Sequence, residues 1–325
     1  MIINANKSPI AIGVDSWATV QDVVRRGFAQ NLFPVGMQFV CNWDGQEYPL
    51  DVMDNDYTVW TDEDGVATPH SALALMFHYP LAVASYYYDA PESTFANWGK
   101  TGDGVKTFAD LSAEIYAAYP HLDGEAFQWF ARTGRAKVAD SDSTEVTVSG
   151  ADYIANTNTL GTGASNVVAY GNGAPYVCNI MQWLNSDKAG GTWYEPRHVG
   201  DEAPSYASAD GFLARLEKGL ADILTPCTLA QAGLPLPYYL SKVFLPVVSQ
   251  ITGDATLAFD YYGTDVTDAE RVKTTKNKTA STWMTNSRYG GSGLYYQCIS
   301  INSAGVQDHS RATTSVGKIP VFYIF

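Results

Sequence analysis

Apolar residues in this chain recur at two spacings, and the switches between them mark out its elements. Trp17, Val20, Val24 and Phe28 fall on one face of a helix that Asp15 or Ser16 can cap and Gly27 can stop. Leu32-Phe33-Pro34-Val35-Gly36-Met37-Gln38-Phe39-Val40 turns strand-like after the proline. Residues 48–52 and 57–60 predict two further short strands, with Asp62-Glu63-Asp64-Gly65 as an acidic turn. Residues 71–89 are apolar, close on Tyr86-Tyr87-Tyr88 and predict core strands.

From about residue 91 to 172 the pattern loosens. Thr107 can cap a helix carrying Phe108, Leu111, Ile115 and Tyr119, and a second short helix would hold Phe127 and Phe130. Thr144-Glu145-Val146-Thr147-Val148 alternates like a half-exposed strand, and 161–173 reads as a long Gly/Asn/Ser/Thr loop. The section is read as an insertion or subdomain. Helical spacing then returns twice: in Val177, Ile180, Met181 and Leu184, and in Leu213, Leu216, Leu220 and Leu224, which Asp210 would cap. After Leu234-Pro235-Leu236-Pro237 the chain becomes β-like at 281–284, 294–301 and 319–325. The last run ends on apolar residues, so the C-terminus is expected inside a sheet. No repeat of fixed period is present.

Composition changes this picture in a few places. Hydrophobic residues make up 46% and charged residues 17%, enough apolar material for a large core, which excludes a disordered chain. A net charge of −14 argues against nucleic acid, where neutralisation of phosphates by Lys and Arg dominates affinity, and against anionic membranes. No apolar run approaches the ~18 residues that a bilayer span needs. Met1-Ile2-Ile3-Asn4-Ala5-Asn6-Lys7 lacks a basic stretch followed by an apolar run, so no signal peptide is expected. Cys41, Cys178, Cys227 and Cys298 are far apart without metal spacing, and are expected reduced and mostly buried, in a protein made in a cytoplasm.

Motifs for chemistry are missing. His70, His78, His121, His198 and His309 have no ligand spacing, and no GxSxG elbow, phosphate loop or dinucleotide fingerprint occurs. Asp51, Asp54, Asp56, Asp62, Glu63 and Asp64 could offer hard oxygens to Ca²⁺, but their spacing misses the EF-hand loop; solvated turns are the expectation. Cys298 has no basic neighbour that would lower its pKa. The reading is a non-enzymatic protein with no cofactor and no metal.

Residues 286–315 differ in kind. Asn286, Ser287, Tyr289, Ser292, Tyr295, Tyr296, Asn302, Ser303, Asp308, His309 and Ser310 are threaded among Gly290, Gly291, Gly293 and Gly305. Tyr among Ser, Asn and Gly is a paratope composition: rigid amphipathic anchors between small adaptable polar groups. An ordinary polar hairpin region has the same composition, so both readings stay open on this ground alone.

Several motifs bear on that choice. Asn179-Ile180-Met181-Gln182-Trp183-Leu184-Asn185-Ser186 followed by Gly191-Thr192-Trp193-Tyr194 resembles the "IRQWLNS…W" helix of a family from gut bacteria and their phages. Gly211-Phe212-Leu213, Lys242-Val243-Phe244-Leu245-Pro246 and Arg271-Val272-Lys273 before Trp283 are similar to further elements of that family. So is the close, Gly317-Lys318-Ile319-Pro320-Val321-Phe322-Tyr323-Ile324, beside its "GVRPVFYI". Upstream, Ser16-Trp17-Ala18-Thr19-Val20-Gln21, Val35-Gly36 and Asp89-Ala90-Pro91-Glu92 also match; the resemblance weakens over roughly 93–170. Where the family reads "WLRSP" this chain has Trp283-Met284-Thr285-Asn286-Ser287, and where it reads "GVRP" this chain has Gly317-Lys318-Ile319-Pro320, so both arginines are missing.

The family resembles the C-type-lectin and formylglycine-generating-enzyme-like fold. Its relatives include phage tropism determinants and other targets of diversity-generating retroelements, which vary surface residues near the C-terminus over a constant framework. The resemblance implies an α+β fold: a C-type-lectin-like domain with an insertion and an N-terminal helix. Its parts would be an N-terminal segment 1–30 available for oligomerisation, domain halves 31–92 and 173–325, and the insertion 93–172. A variable region at 284–316 would be braced by Trp283 and residues 317–324. It further implies a receptor-binding or adhesion protein on the exposed surface of a virion. Its partners would be a host-surface or environmental ligand, protein or glycan, and other virion proteins, and its assembly a homo-oligomer such as a trimer. An assembly role, as a decoration or fibre protein without a specific receptor, is the alternative. The metal-binding cysteine pair of the enzyme branch is not matched around Cys298.

Overall fold

The computed structural model describes residues 11–13, 16–63, 66–81, 83, 179–195, 203–229, 240–253, 257–288, 297–311 and 314–325. The insertion expected at 93–172, with all its elements, lies outside them, as do Tyr86, Tyr87, Tyr88, Val177 and Cys178.

Branched and aromatic residues crowd 38–77, and this stretch folds as a meander. Strand β1 (Ala11–Gly13) pairs in parallel with β2 (Gln38–Trp43); β3 (Gln46–Glu63) and β4 (Val66–Phe77) follow antiparallel. The two short strands expected at 48–52 and 57–60 are one long strand. Two irregularities, between Val52 and Asp54 and between Asp54 and Tyr57, bend β3 without ending it. Asp54 stabilises that bend by accepting the Asp56 amide at 2.9 Å.

The far end of the chain completes the same sheet. Strand β12 (Val321–Ile324) lies between β4 and the short β6 (Val243–Phe244), giving the order β1-β2-β3-β4-β12-β6, with β5 (Thr228–Leu229) on β3. All four residues of β12 are buried, so the C-terminus is held inside a sheet. The Phe325 carbonyl accepts from Gln21 at 3.0 Å and Arg25 at 3.3 Å. Those donors belong to α1 (Trp17–Arg25), which follows Ser16, turns Trp17, Val20 and Val24 into the core, and ends at Gly27, where φ is +74°. Phe28, expected on the same stripe, comes after the helix stop and is exposed (51%). Leu32, placed by pattern at the head of a strand, ends the single helical turn α2 (Ala29–Leu32) instead.

The helix α3 (Asn179–Leu184) buries the Trp183 and Leu184 of the tryptophan motif. Trp183 donates its indole N–H to the Asp210 carbonyl at 2.9 Å, and its ring meets Trp43 and Phe212 edge-on. Asn185 gives the motif a second task. Its Oδ1 accepts the amides of Lys242 and Val243 at 2.7 and 3.0 Å, tying α3 to β6.

The leucine stripe at 213–224 was expected to be one helix, but it breaks in the middle. A 3₁₀ turn (Leu213–Arg215) and α4 (Lys218–Ile223) flank Leu216. The backbone there bonds the β2–β3 turn: Arg215 O accepts from Asp44 N at 2.8 Å, and Glu217 N donates to Asn42 O at 2.9 Å. Those tertiary bonds replace the helical ones. Asp210 accepts the Gly190 amide at 2.8 Å instead of capping.

Beyond the single-turn helix α5 (Val248–Ile251), a 3₁₀ turn (Asp268–Arg271) leads to the hairpin β7 (Lys273–Thr274) and β8 (Ala280–Ser281). A separate antiparallel sheet of order β11-β10-β9 follows: β9 (Trp283–Arg288), β10 (Gln297–Ile301) and β11 (Gln307–Arg311). The described residues thus form an α+β structure of short helices and mainly antiparallel sheets. No helix among them is long and apolar enough to cross a membrane.

Two of the acidic residues, Asp51 and Asp54, are buried and not in solvated turns, whereas Asp56 is exposed; Asp64 and the side chains of Asp62 and Glu63 lie outside the described residues. Asp51 is buried on β3, where it bonds Lys273 at 3.0 Å, Gln38 at 2.6 Å and His78 at 2.9 Å. Burial pushes its pKa up, but Lys273 and the His78 and Gln38 hydrogen bonds outweigh this and bring it to about 2. Asp54, three residues on, has no ion pair among the described residues, and burial raises its pKa. Both side chains lie on the central, buried part of β3, from Leu50 to Asp54.

Candidate ligand-presenting surface

The small sheet begins and ends at one place. Trp283 and Gly317 form a parallel bridge, with Met284 N donating to Gly317 O and Gly317 N to Thr282 O, both at 3.0 Å. Trp283 is fully buried and donates its indole N–H to Arg271 O at 3.2 Å. Lys318 is also fully buried and donates to Val316 O at 2.6 Å. The 32 intervening positions, 285–316, therefore leave and re-enter the core side by side.

The three strands are not equally exposed. Cys298, Ile299, Ser300 and Ile301 of β10 are buried although they alternate between two faces, so β10 is covered on both sides. On β11, Asp308 and His309 are exposed and Ser310 is half-buried. The register sets Ser300 opposite Asp308 and Ile299 opposite His309. Ser310 is drawn inward by a 3.0 Å hydrogen bond between its hydroxyl and that of Ser300.

The turn before β11 has its own anchor. Asn302 Oδ1 accepts the amides of Ala304 and Val306 at 2.9 and 3.1 Å, which makes Asn302 a turn-former and leaves Ser303 exposed at the tip. Gly305 has φ +82°, and a Cβ there would sit 1.6 Å from Asp268 O. No side chain fits that approach. Buried Arg271 donates Nε–H to Gly305 O at 3.0 Å and pairs with Asp268. Sequence reading marked Arg271 only within a motif and Gly305 only as a spacer. Their joint role depends on a contact across 34 positions, for which the local pattern carries no signal.

Two residues expected on the display surface serve the base. Asn286 N donates to Pro246 O at 2.8 Å, and the Ser287 hydroxyl accepts the Val248 amide at 2.8 Å, at the head of α5. Both are half-buried and lie in the irregular part of β9, between the Met284–Ser300 and Arg288–Cys298 pairs. Tyr289, Ser292, Tyr295 and Tyr296 lie outside the described residues. Ser303, Asp308, His309 and, at the margin, Ser310 are therefore the expected residues that the structure brings together at one exposed edge. Asp308 Oδ1 accepts the His309 amide at 2.8 Å and lies 3.5 Å from the His309 ring nitrogen.

This edge can offer hydrogen-bond acceptors, donors and one imidazole ring to a partner. Cys41 and Cys227 are buried, and burial raises both thiols far above the range in which a thiolate forms. Among the described residues, no three His, Cys, Asp or Glu side chains cluster as a metal site would require. Comparison with family models, characterised proteins and solved structures gives no match.

Proposed function

We propose that this chain is a ligand-binding protein of a phage or prophage particle, presenting 286–315 on a C-type-lectin-like scaffold. The observation carrying this reading is the contrast within the small sheet. An exposed polar edge, with Ser303, Asp308 and His309, stands on a strand buried on both faces and closed at its base by Trp283 and Gly317. Loops on a rigid base can change residues without disturbing the core, which suits recognition and would tolerate retroelement diversification. The return of the C-terminal strand to a position between β4 and β6, in a sheet whose longest strands come from the N-terminal half, supports the scaffold assignment.

The partner is a host-surface or environmental ligand, protein or glycan, and weak contacts would be multiplied in an oligomer. Exposed Phe28 and Leu32 (51% and 56%) favour a second reading, in which the protein works in assembly. Particles carrying alanine at Tyr289, Tyr295, Tyr296, Asp308 and His309 separate the two. Intact particles that no longer adsorb support ligand binding; normal adsorption overturns it. Fragile particles on deletion of the protein support assembly.

A further inference from the structure

A groove of about 580 Å³ lies between the β2–β3 turn, the β7–β8 hairpin and residues 315–317, and no residue of β11 lines it. Its size falls within the range of small-ligand sites, roughly 300–1,000 Å³. The chain has 34 acidic and 20 basic residues, yet the lining contains no carboxylate and one cation, Lys276. We propose that this groove binds an acidic saccharide and holds its carboxylate at Lys276.

Lys276 is fixed before any ligand arrives. Its ammonium lies 3.7 Å from the centre of the Tyr48 ring, donates to Glu47 O at 2.9 Å and reaches Gln46 Oε1 at 3.2 Å. The ring and the two oxygens occupy its three N–H donors, and a ligand carboxylate takes the place of the exposed Gln46 side chain, the longest of these contacts to oxygen. Tyr48 is itself wedged against Trp43 and Phe77, so the platform under the cation is rigid. Desolvation lowers the Lys276 pKa, and the Glu47 carboxylate, which does not line the groove, only partly offsets this.

The remaining walls suit a sugar ring. Asn277 and Ser315 are exposed, and Ser281 is half-buried beside them, offering an amide and two hydroxyls to ring hydroxyl groups. Pro80 and Val316, both half-buried, give an apolar patch for a C–H face. A saccharide with a carboxylate uses all three kinds of wall at once. A bare anion leaves the hydroxyl and apolar walls unused, and a neutral sugar leaves the ammonium unused.

The test is saturation-transfer NMR and calorimetric titration of the full chain with 3′-sialyllactose, lactose and inorganic phosphate. Sialyllactose is expected to bind saturably with a millimolar or tighter Kd, and lactose at least about fivefold more weakly. Lys276→Met, which keeps an alkyl stem over Tyr48, should weaken sialyllactose at least about tenfold, with an unchanged melting temperature. If that variant melts early, Asn277→Ala/Ser281→Ala takes its place, with a loss of about threefold or more expected. Equal binding of lactose, displacement by equimolar phosphate, no binding at about 10 mM, or wild-type binding by the folded variants each overturns the proposal. Alanine at Asp308 and His309 should leave this binding unchanged, so its outcome is separate from that of the adsorption test.

Discussion

The seven-stranded sheet and the three-stranded sheet use similar backbone pairing for opposite ends. In the large sheet, polar groups are drawn inward and satisfied. Gln250 donates to the hydroxyls of Tyr57 and Tyr323 at 3.0 and 2.9 Å and accepts the Val247 amide, joining β3, β12 and α5. Burial raises the Tyr57 hydroxyl to about 12, so it stays neutral and available as a hydrogen-bonding group. In the small sheet, β10 is just as buried, but β11 turns its polar residues to solvent. The difference teaches that the polar character of a strand does not say whether it holds or displays; its neighbours on either side do.

The sharpest break of this contrast is Lys273→Met. It leaves the Asp51 carboxylate buried without its ammonium and should cost about 3 kcal/mol in urea unfolding, enough to threaten the native state. A loss below about 1 kcal/mol would mean that His78 and Gln38 alone hold the charge.

Acid titration tests the same pair more gently. Asp51 has a folded pKa near 2, below the ordinary 3.8. Its contribution is therefore full above about pH 4 and disappears as pH falls toward 2, worth roughly 2 kcal/mol. Asp51→Asn should remove that acid-side slope. The raised Asp54 carboxyl acts in the opposite direction, because it is relieved by protonation as pH falls, whereas the lowered Glu270 carboxyl, hydrogen-bonded by Thr267, acts in the same direction as Asp51.

Gly305→Ala carries the test to the small sheet. The forbidden φ and the contact with Asp268 O predict a loss of at least about 1 kcal/mol, together with weaker ligand binding. The smallest effect is expected at the edge itself. Asp308→Ala and His309→Ala should shift unfolding by no more than about 0.5 kcal/mol while changing adsorption. A large stability loss there would make β11 part of the base.

Much of the fold was legible where side-chain period and burial coincide. The α1 stripe of Trp17, Val20 and Val24, the tryptophan motif in α3, and the apolar close at 321–324 all lie where the pattern places them. The leucine stripe at 213–224 was misleading. Its spacing is helical, but the bonds from Arg215 and Glu217 to the β2–β3 turn decide its backbone. The candidate surface was legible as a segment and not as a set of residues. Asn286 and Ser287 share its composition yet hydrogen-bond inward, and β11 carries no apolar alternation that would announce a strand.

The sequence by itself determined which residues form the core and where a polar, tyrosine-rich segment interrupts it. Hydrophobic burial depends on residue type and period, and both are local. Tertiary structure decided which polar residues face water. That choice rests on partners far away in the chain: Lys273 for Asp51, Val248 for Ser287, and Asp268 with Arg271 for Gly305. A carboxylate, hydroxyl or glycine reads the same in sequence whether it is buried and bonded or left open to a ligand; only the fold brings the partner that separates the two.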